Sequence, residues 1–147
     1  RLVAGAARGR GFLEPMEVKG TLHRGSTGVD EWAAATLKFP GNLLAQVTCG
    51  TRTEGETVAR VFGSKGSLHV PSPWFGCWGP GSSKLYFQKS WRHKPRRIEV
   101  KADRMLYALE ADEVGECLKR GRKESLLMPW RDSLGNAAAL DRWLKQD

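Results

Sequence analysis

From Pro15 onward, apolar and polar side chains alternate. Met16, Val18 and Leu22 fall on one side, and Glu17, Lys19, Thr21 and His23 on the other. Period-two alternation predicts a half-buried strand. Gly25-Ser26-Thr27-Gly28 then reads as a turn. The run from Val29 to Phe39 puts Ala33, Ala35, Leu37 and Phe39 on one face and Trp32, Ala34, Thr36 and Lys38 on the other. Pro40-Gly41-Asn42 predicts a tight turn, because Pro presets φ and Gly or Asn accepts a positive φ. Leu43, Ala45, Val47 and Cys49 continue as a third strand, so the pair reads as a β-hairpin. Shorter strands are predicted over 57–62, 67–70, 84–89 and 96–101, with a turn at Gly63-Ser64-Lys65-Gly66. The segment from Pro71 to Gly81 is rich in Pro and Gly and reads as a loop.

The period changes near residue 106. Tyr107, Ala111, Val114 and Leu118 form one stripe of an amphipathic helix. Lys119, Arg120 and Gly121 end it, with cations at the negative end of the helix dipole and Gly just past the last turn. A second helix is predicted from about Pro129–Asp132 to Lys145, with Leu134, Ala137, Leu140 and Leu144 inward. Residues 1–7 read as the tail of a helix, as expected of a fragment of a longer chain. Strands joined by turns and followed by helices give an α+β class: an open, mostly antiparallel sheet with helices packed on one face. The second strand, with Trp and Ala opposite Ala, Leu and Phe, suggests a sheet apolar on both faces, and an uncovered apolar face marks a partner surface.

Composition narrows this picture. The 147 residues carry 24 Lys+Arg against 16 Asp+Glu, a formal charge of +8, and are 40% hydrophobic. That is globular composition at the length of one domain. No apolar run approaches the ~20 residues of a membrane helix, so no membrane partner is expected. Cys49, Cys77 and Cys117 are odd in number and widely spaced, which points to a reduced, cytoplasmic setting. No zinc-ligand spacing occurs, and no metal is expected.

Few motifs carry chemistry. Gly5 to Gly11 lacks the preceding strand and following helix of a dinucleotide loop, and Gly63-Ser64-Lys65-Gly66 lacks the spacing of a P-loop. His23, His69 and His93 stand apart, and no G-x-S-x-G elbow occurs. Cations cluster at Arg92-His93-Lys94-Pro95-Arg96-Arg97 and at Lys119–Lys123. The first lies beside Trp91, which admits a second reading: a stand-alone basic binding module for an acidic protein or nucleic acid. The RNA-recognition pattern that Arg10-Gly11-Phe12 begins is broken by Leu13-Glu14-Pro15, so nucleic acid is not the expected partner. The loop holding Trp74, Phe75 and Trp78 is the most suggestive segment. Its rings either wall a small-molecule pocket or plug one end of the sheet. Arg52, just past the third strand, is a candidate for an anionic or hydroxylated ligand, or a plain surface cation.

The C-terminal stretch reads Tyr107-x-x-Glu110-Ala111-x-x-Val114-x-x-Cys117-Leu118-x-x-Gly121, then Glu124-Ser125-x-x-Met128-Pro129-Trp130-x-Asp132-Ser133-Leu134-x-Asn136. It resembles the closing helices of the Gfo/Idh/MocA oxidoreductases. Phe39-Pro40-Gly41-Asn42 and Phe62-Gly63-Ser64-Lys65-Gly66-Ser67-Leu68 agree, and Trp74-Phe75-x-Cys77 is similar to the dihydrodiol dehydrogenase branch. The resemblance implies that residues 1–147 are a C-terminal substrate-binding and dimerisation domain, incomplete at its N-terminus and without the Rossmann domain. The intact enzyme would use NAD or NADP on a CH–OH group of a sugar, polyol or cyclic diol. Its nucleotide loop and catalytic Lys would lie outside this chain, so no catalytic or cofactor-binding residue is assigned here and the chain alone is expected to be inactive. His93-Lys94-Pro95 ends like the family's Glu-Lys-Pro motif, but with His for Glu and in the wrong domain. Trp74 and Phe75, with Trp78 and Arg52 after them, are the implied substrate-binding residues. The implied partners are a small-molecule substrate, the parent chain's Rossmann domain and a second copy through the sheet face.

Overall fold

Phe39 ends the longest alternating run in the sequence and is the most buried large side chain among the described residues, at 2% exposure. It belongs to a computed structural model that describes residues 1–76 and 80–146. The chain divides into two units, Arg1–Gly55 with Glu124–Asp147, and Glu56–Lys123.

The first unit holds α1 (Leu2–Ala6), β1 (Glu17–Arg24), β2 (Asp30–Phe39), β3 (Leu43–Gly50) and α3 (Trp130–Leu144). Its strands form an antiparallel sheet in the order β1-β2-β3. Gly41 at φ +80° and Asn42 at φ +60° close the β2–β3 hairpin in the left-handed region, where these two residues are tolerated best. The pairings Val18↔Leu37, Phe39↔Leu43 and Leu37↔Ala45 gather the apolar set on one face, and Ala4 and Leu13 join Phe39 in its core. The opposite face corrects the expectation of a sheet apolar on both sides. Register sets Trp32 and Ala34 of β2 beside His23, Thr21, Thr48 and Gly50 of the neighbouring strands, so that face is mixed.

Helix α3 packs on β1 through a face other than the one its leucines mark. Leu134 is 70% exposed, and Ala137, Leu140 and Leu144 are exposed as well. Buried Asp132 and half-buried Gly135, Ala139 and Trp143 face inward instead. Two of these contacts are polar or glycine-dependent, which a count of apolar positions does not register. Asp132 takes the Arg1 guanidinium, and a Cβ on Gly135 would fall on the Arg1–Glu14 ion pair.

The second unit holds β4 (Val58–Gly63), β5 (Gly66–Pro71), β6 (Gly81–Gln88), β7 (Arg96–Ala102) and α2 (Leu106–Lys119). The four strands form an antiparallel meander in sequence order. One face collects Val61, Leu68, Leu85, Phe87 and Ile98, with Arg96 beside Phe87; the other carries Arg60, His69, Tyr86 and Arg97 together with Phe62. Helix α2 ends as its sequence predicts. Gly121 takes φ +62°, its N–H donates to the Leu118 carbonyl at 3.0 Å, and the Arg122 N–H donates to Cys117 at 2.8 Å. These are the paired bonds of a Schellman cap. The stripe of α2, however, is exposed at Tyr107, Ala111, Val114 and Leu118, and Cys117 is its buried residue. The two sheets and three helices make an α+β fold with antiparallel strands.

Candidate functional site

In the second unit the aromatic loop begins at a backbone feature that the sequence does not announce. Ser72 follows β5 with φ +50°, a left-handed conformation uncommon for a residue other than Gly. Its N–H donates to the Thr57 carbonyl at 3.0 Å, and the Phe75 N–H donates to the Ser72 carbonyl at 3.1 Å. The Ser83 hydroxyl on β6 then donates to the Gly76 carbonyl. These bonds hold the loop back against the first residues of β6. Trp74 is 71% exposed and Phe75 49%. Rings that plugged the end of a sheet would be buried, and these two are not. Trp78 lies outside the described residues.

The same end of β6 walls an open cleft of about 620 Å³. Gly81, Lys101, Ala102, Asp103 and Leu109 line it. Sequence reasoning missed these residues, because they come from a strand start, a strand end and a helix and share no local pattern. Arg104 binds Asp103 at 3.0 Å and also pairs with Asp112. The Arg104 guanidinium holds the Asp103 carboxyl below the usual carboxylate range, so the cleft keeps a fixed negative charge near neutral pH. Lys101 offers the opposite charge on the same wall. An uncharged ligand with hydroxyl groups suits such a site, since Asp103 can accept a hydrogen bond, Lys101 can donate one, and Leu109 offers apolar contact.

Arg52 belongs to the first unit. Its Nη1 lies 3.1 Å from Glu31 Oε1, and the side chain is 71% exposed. A ligand anion would compete with Glu31 for that charge. The histidines serve local contacts. The His23 ring stacks on Trp32 with centroids 4.0 Å apart and planes 9° apart. His93 Nδ1 is 2.7 Å from Ser90 Oγ within one turn, and no carboxylate among the described residues orients it as a catalytic triad requires.

A dinucleotide does not fit these residues. Every registered strand pair is antiparallel, whereas a nucleotide-binding crossover needs a parallel strand feeding a glycine turn and a helix. Of the glycines at 5–11, Gly5 serves packing, since a Cβ there would strike the backbone of Gly11 and Phe12, and Gly9 takes a left-handed φ of +64°. Nor do three His, Cys, Asp or Glu side chains gather among the described residues as a metal cage requires. No described helix is long and apolar enough to cross a membrane.

Comparison with known proteins adds to this geometry. The sequence profile of the GFO/IDH/MocA C-terminal domain matches residues 10–69. Trans-1,2-dihydrobenzene-1,2-diol dehydrogenase of Oryctolagus cuniculus is 28% identical over 128 residues, covering 84% of this chain and 37% of that protein. The Danio rerio protein of the same name is 34% identical over 125 residues, covering 82% of this chain and 36% of its own. The chain therefore spans little more than a third of the length of these curated relatives. Among solved structures, an aldose-aldose oxidoreductase from Caulobacter crescentus, complexed with glycerol, superposes with a TM-score of 0.73. That match has 18% identity and covers 97% of this chain and 42% of the other.

Proposed function

Because the chain belongs to the GFO/IDH/MocA family through its C-terminal domain, we propose that it is the substrate-binding and dimerisation part of an NAD(P)-dependent oxidoreductase. The enzyme acts on a CH–OH group of a sugar, polyol or cyclic diol. The observation that carries this reading is the convergence of the exposed Trp74–Phe75 pair and the cleft at one end of β6. The relatives that share this sequence are named for a cyclic diol. A flat, hydroxylated ring asks for two contacts: an aromatic surface for its face and polar groups for its hydroxyls.

NAD or NADP, when bound, supplies the hydride chemistry. The cofactor is held by a Rossmann partner domain outside these 147 residues, since the antiparallel strands here do not build its cradle. This chain's part is to hold the substrate ring against Trp74 and Phe75 and to restrict water around it. Trp78 remains a secondary candidate of the same loop, and Arg52, in the first unit, is a separate one. The exposed Cys49 thiol suits a reduced, cytoplasmic compartment.

Steady-state kinetics of the intact oxidoreductase on trans-1,2-dihydrobenzene-1,2-diol test the reading. Replacing Trp74 by Ala is expected to raise KM about tenfold, the loss of roughly 1.4 kcal/mol of ring contact, with a smaller change in kcat. An unchanged KM in both Trp74→Ala and Phe75→Ala would leave the loop a structural role only. The 147-residue chain alone is expected to show no micromolar binding of NADH or NADPH by titration.

A further inference from the structure

Strand pairing in the second unit brings together residues that lie far apart in sequence. Arg60 of β4 faces His69 of β5, His69 faces Tyr86 of β6, and Tyr86 faces Arg97 of β7. One row across the sheet therefore reads cation, aromatic, aromatic, cation. The two central rings lie 6.1 Å apart, tilted by 36°. Two carboxylates touch the ends of this row: Glu56 binds Arg60 at 2.9 Å, and Glu99 lies 3.7 Å from Arg97. Beyond the row, residues 89–95 join β6 to β7 in an ordered turn. Gln88 Nε2 donates to the His93 carbonyl at 2.8 Å, and the His93 N–H donates to the Ser90 carbonyl at 3.0 Å. At this tip Trp91 is 82% exposed, with the Arg92 guanidinium 4.9 Å over its ring. No Asp or Glu occurs from Gly63 to Ile98, so nothing within that run offsets the tip's cations.

We propose that this face of the four-stranded sheet, with its hairpin tip, binds single-stranded nucleic acid. Bases stack on Trp91 and Tyr86, and phosphates meet Arg92, Arg97 and the neighbouring lysines. Single strands are the fitting form, because a duplex hides the base faces that aromatic side chains stack on. An acidic peptide would satisfy the cations but bring nothing flat to the row of rings. The linear RNA-recognition pattern fails in this sequence, whereas the register assembles cations and rings from four strands. The inference does not depend on the enzymatic reading.

Fluorescence anisotropy of a labelled oligothymidine, titrated with the full chain, tests it. Affinity is expected to fall between about 50 and about 200 mM salt with a log–log slope near −3, the value for about four phosphates on a single strand. Trp91→Ala is expected to weaken binding about tenfold at constant salt, the loss of one stacked base. Trp91 is 82% exposed, so circular dichroism should show this variant folded. Arg97→Gln should lower the slope by about 0.7. No anisotropy change at about 50 mM salt overturns the proposal. So does a folded Trp91→Ala variant with unchanged affinity. Equal binding to polyglutamate of matched charge also overturns it, and makes the face a site for acidic protein.

Discussion

Gly20 of β1 lies under Trp143 of the last helix. A Cβ there would fall on both the Trp143 indole ring and the Ala34 carbonyl oxygen, so the position admits no side chain. Gly20→Ala is expected to lower stability by about 1–3 kcal/mol, the usual range for overpacking. A second change, Trp143→Leu, should recover part of that loss, and urea midpoints of both variants measure it. Glu14 makes a different kind of contact. It accepts from Arg1 Nε at 3.0 Å, and that hydrogen bond holds its carboxyl below the ordinary value of about 4.3. The folded chain therefore takes up this proton at lower pH than the unfolded chain does. The stabilisation is complete above the unfolded value and disappears as the pH falls through the folded one. The melting temperature should drop as the pH falls below that ordinary value. Glu14→Gln should flatten part of that drop in a calorimetric series.

Helix α3 and the turn after it guard the outer edge of β1. Gln146 spans two exposed backbone groups of the strand: its Oε1 accepts from the Gly20 N–H at 2.9 Å, and its Nε2 donates to the Val18 carbonyl. The side-chain amide stands in for the next strand. Arg142 donates to the carbonyls of Pro15 and Met16 at 2.7 and 2.8 Å, extending the cover. An uncovered edge is a template for unwanted pairing. Gln146→Ala should speed hydrogen exchange at the Gly20 amide at least tenfold, which corresponds to about 1.4 kcal/mol of local protection. None of this was legible in advance. The strands were legible because alternation is local: each predicted strand is found within about three residues of its predicted bounds. The helices themselves were also legible, including the cap at Gly121. Their inward faces were not, because Asp132, Gly135 and Trp143 owe their burial to Arg1, Glu14 and Gly20, all more than a hundred residues away in the chain. At the candidate site, Trp74 and Phe75 stood out through their chemistry. The cleft beside them did not, since Gly81, Ala102 and Leu109 are unremarkable residues until β6, β7 and α2 bring them to one place.

The protein as a whole leaves much apolar surface in water, including Val114 and Leu118 on α2 and Leu126, Leu127 and Trp130 ahead of α3. The outer face of the three-stranded sheet is a separate matter. Thr21, Ala34 and Thr48 form a row of small side chains across its middle, and small side chains let a second sheet approach closely. Under the proposed dimerisation, Ala34→Arg should convert a dimer to a monomer in sedimentation velocity, with the melting profile of the monomer retained. The division of the chain has a consequence of another kind, in the order of events during synthesis. The four-stranded meander is one continuous stretch, Glu56–Lys123, set between the two portions of the other unit. It can close as soon as its own residues have left the ribosome. The hairpins of β1, β2 and β3 emerge earlier, yet their edge and their buried Asp132–Arg1 pair wait for a helix that begins at Trp130, 80 residues after β3 ends at Gly50. For the time it takes to translate that interval, the older half of the protein is the less finished one, with β1 bare to any chaperone or neighbouring strand.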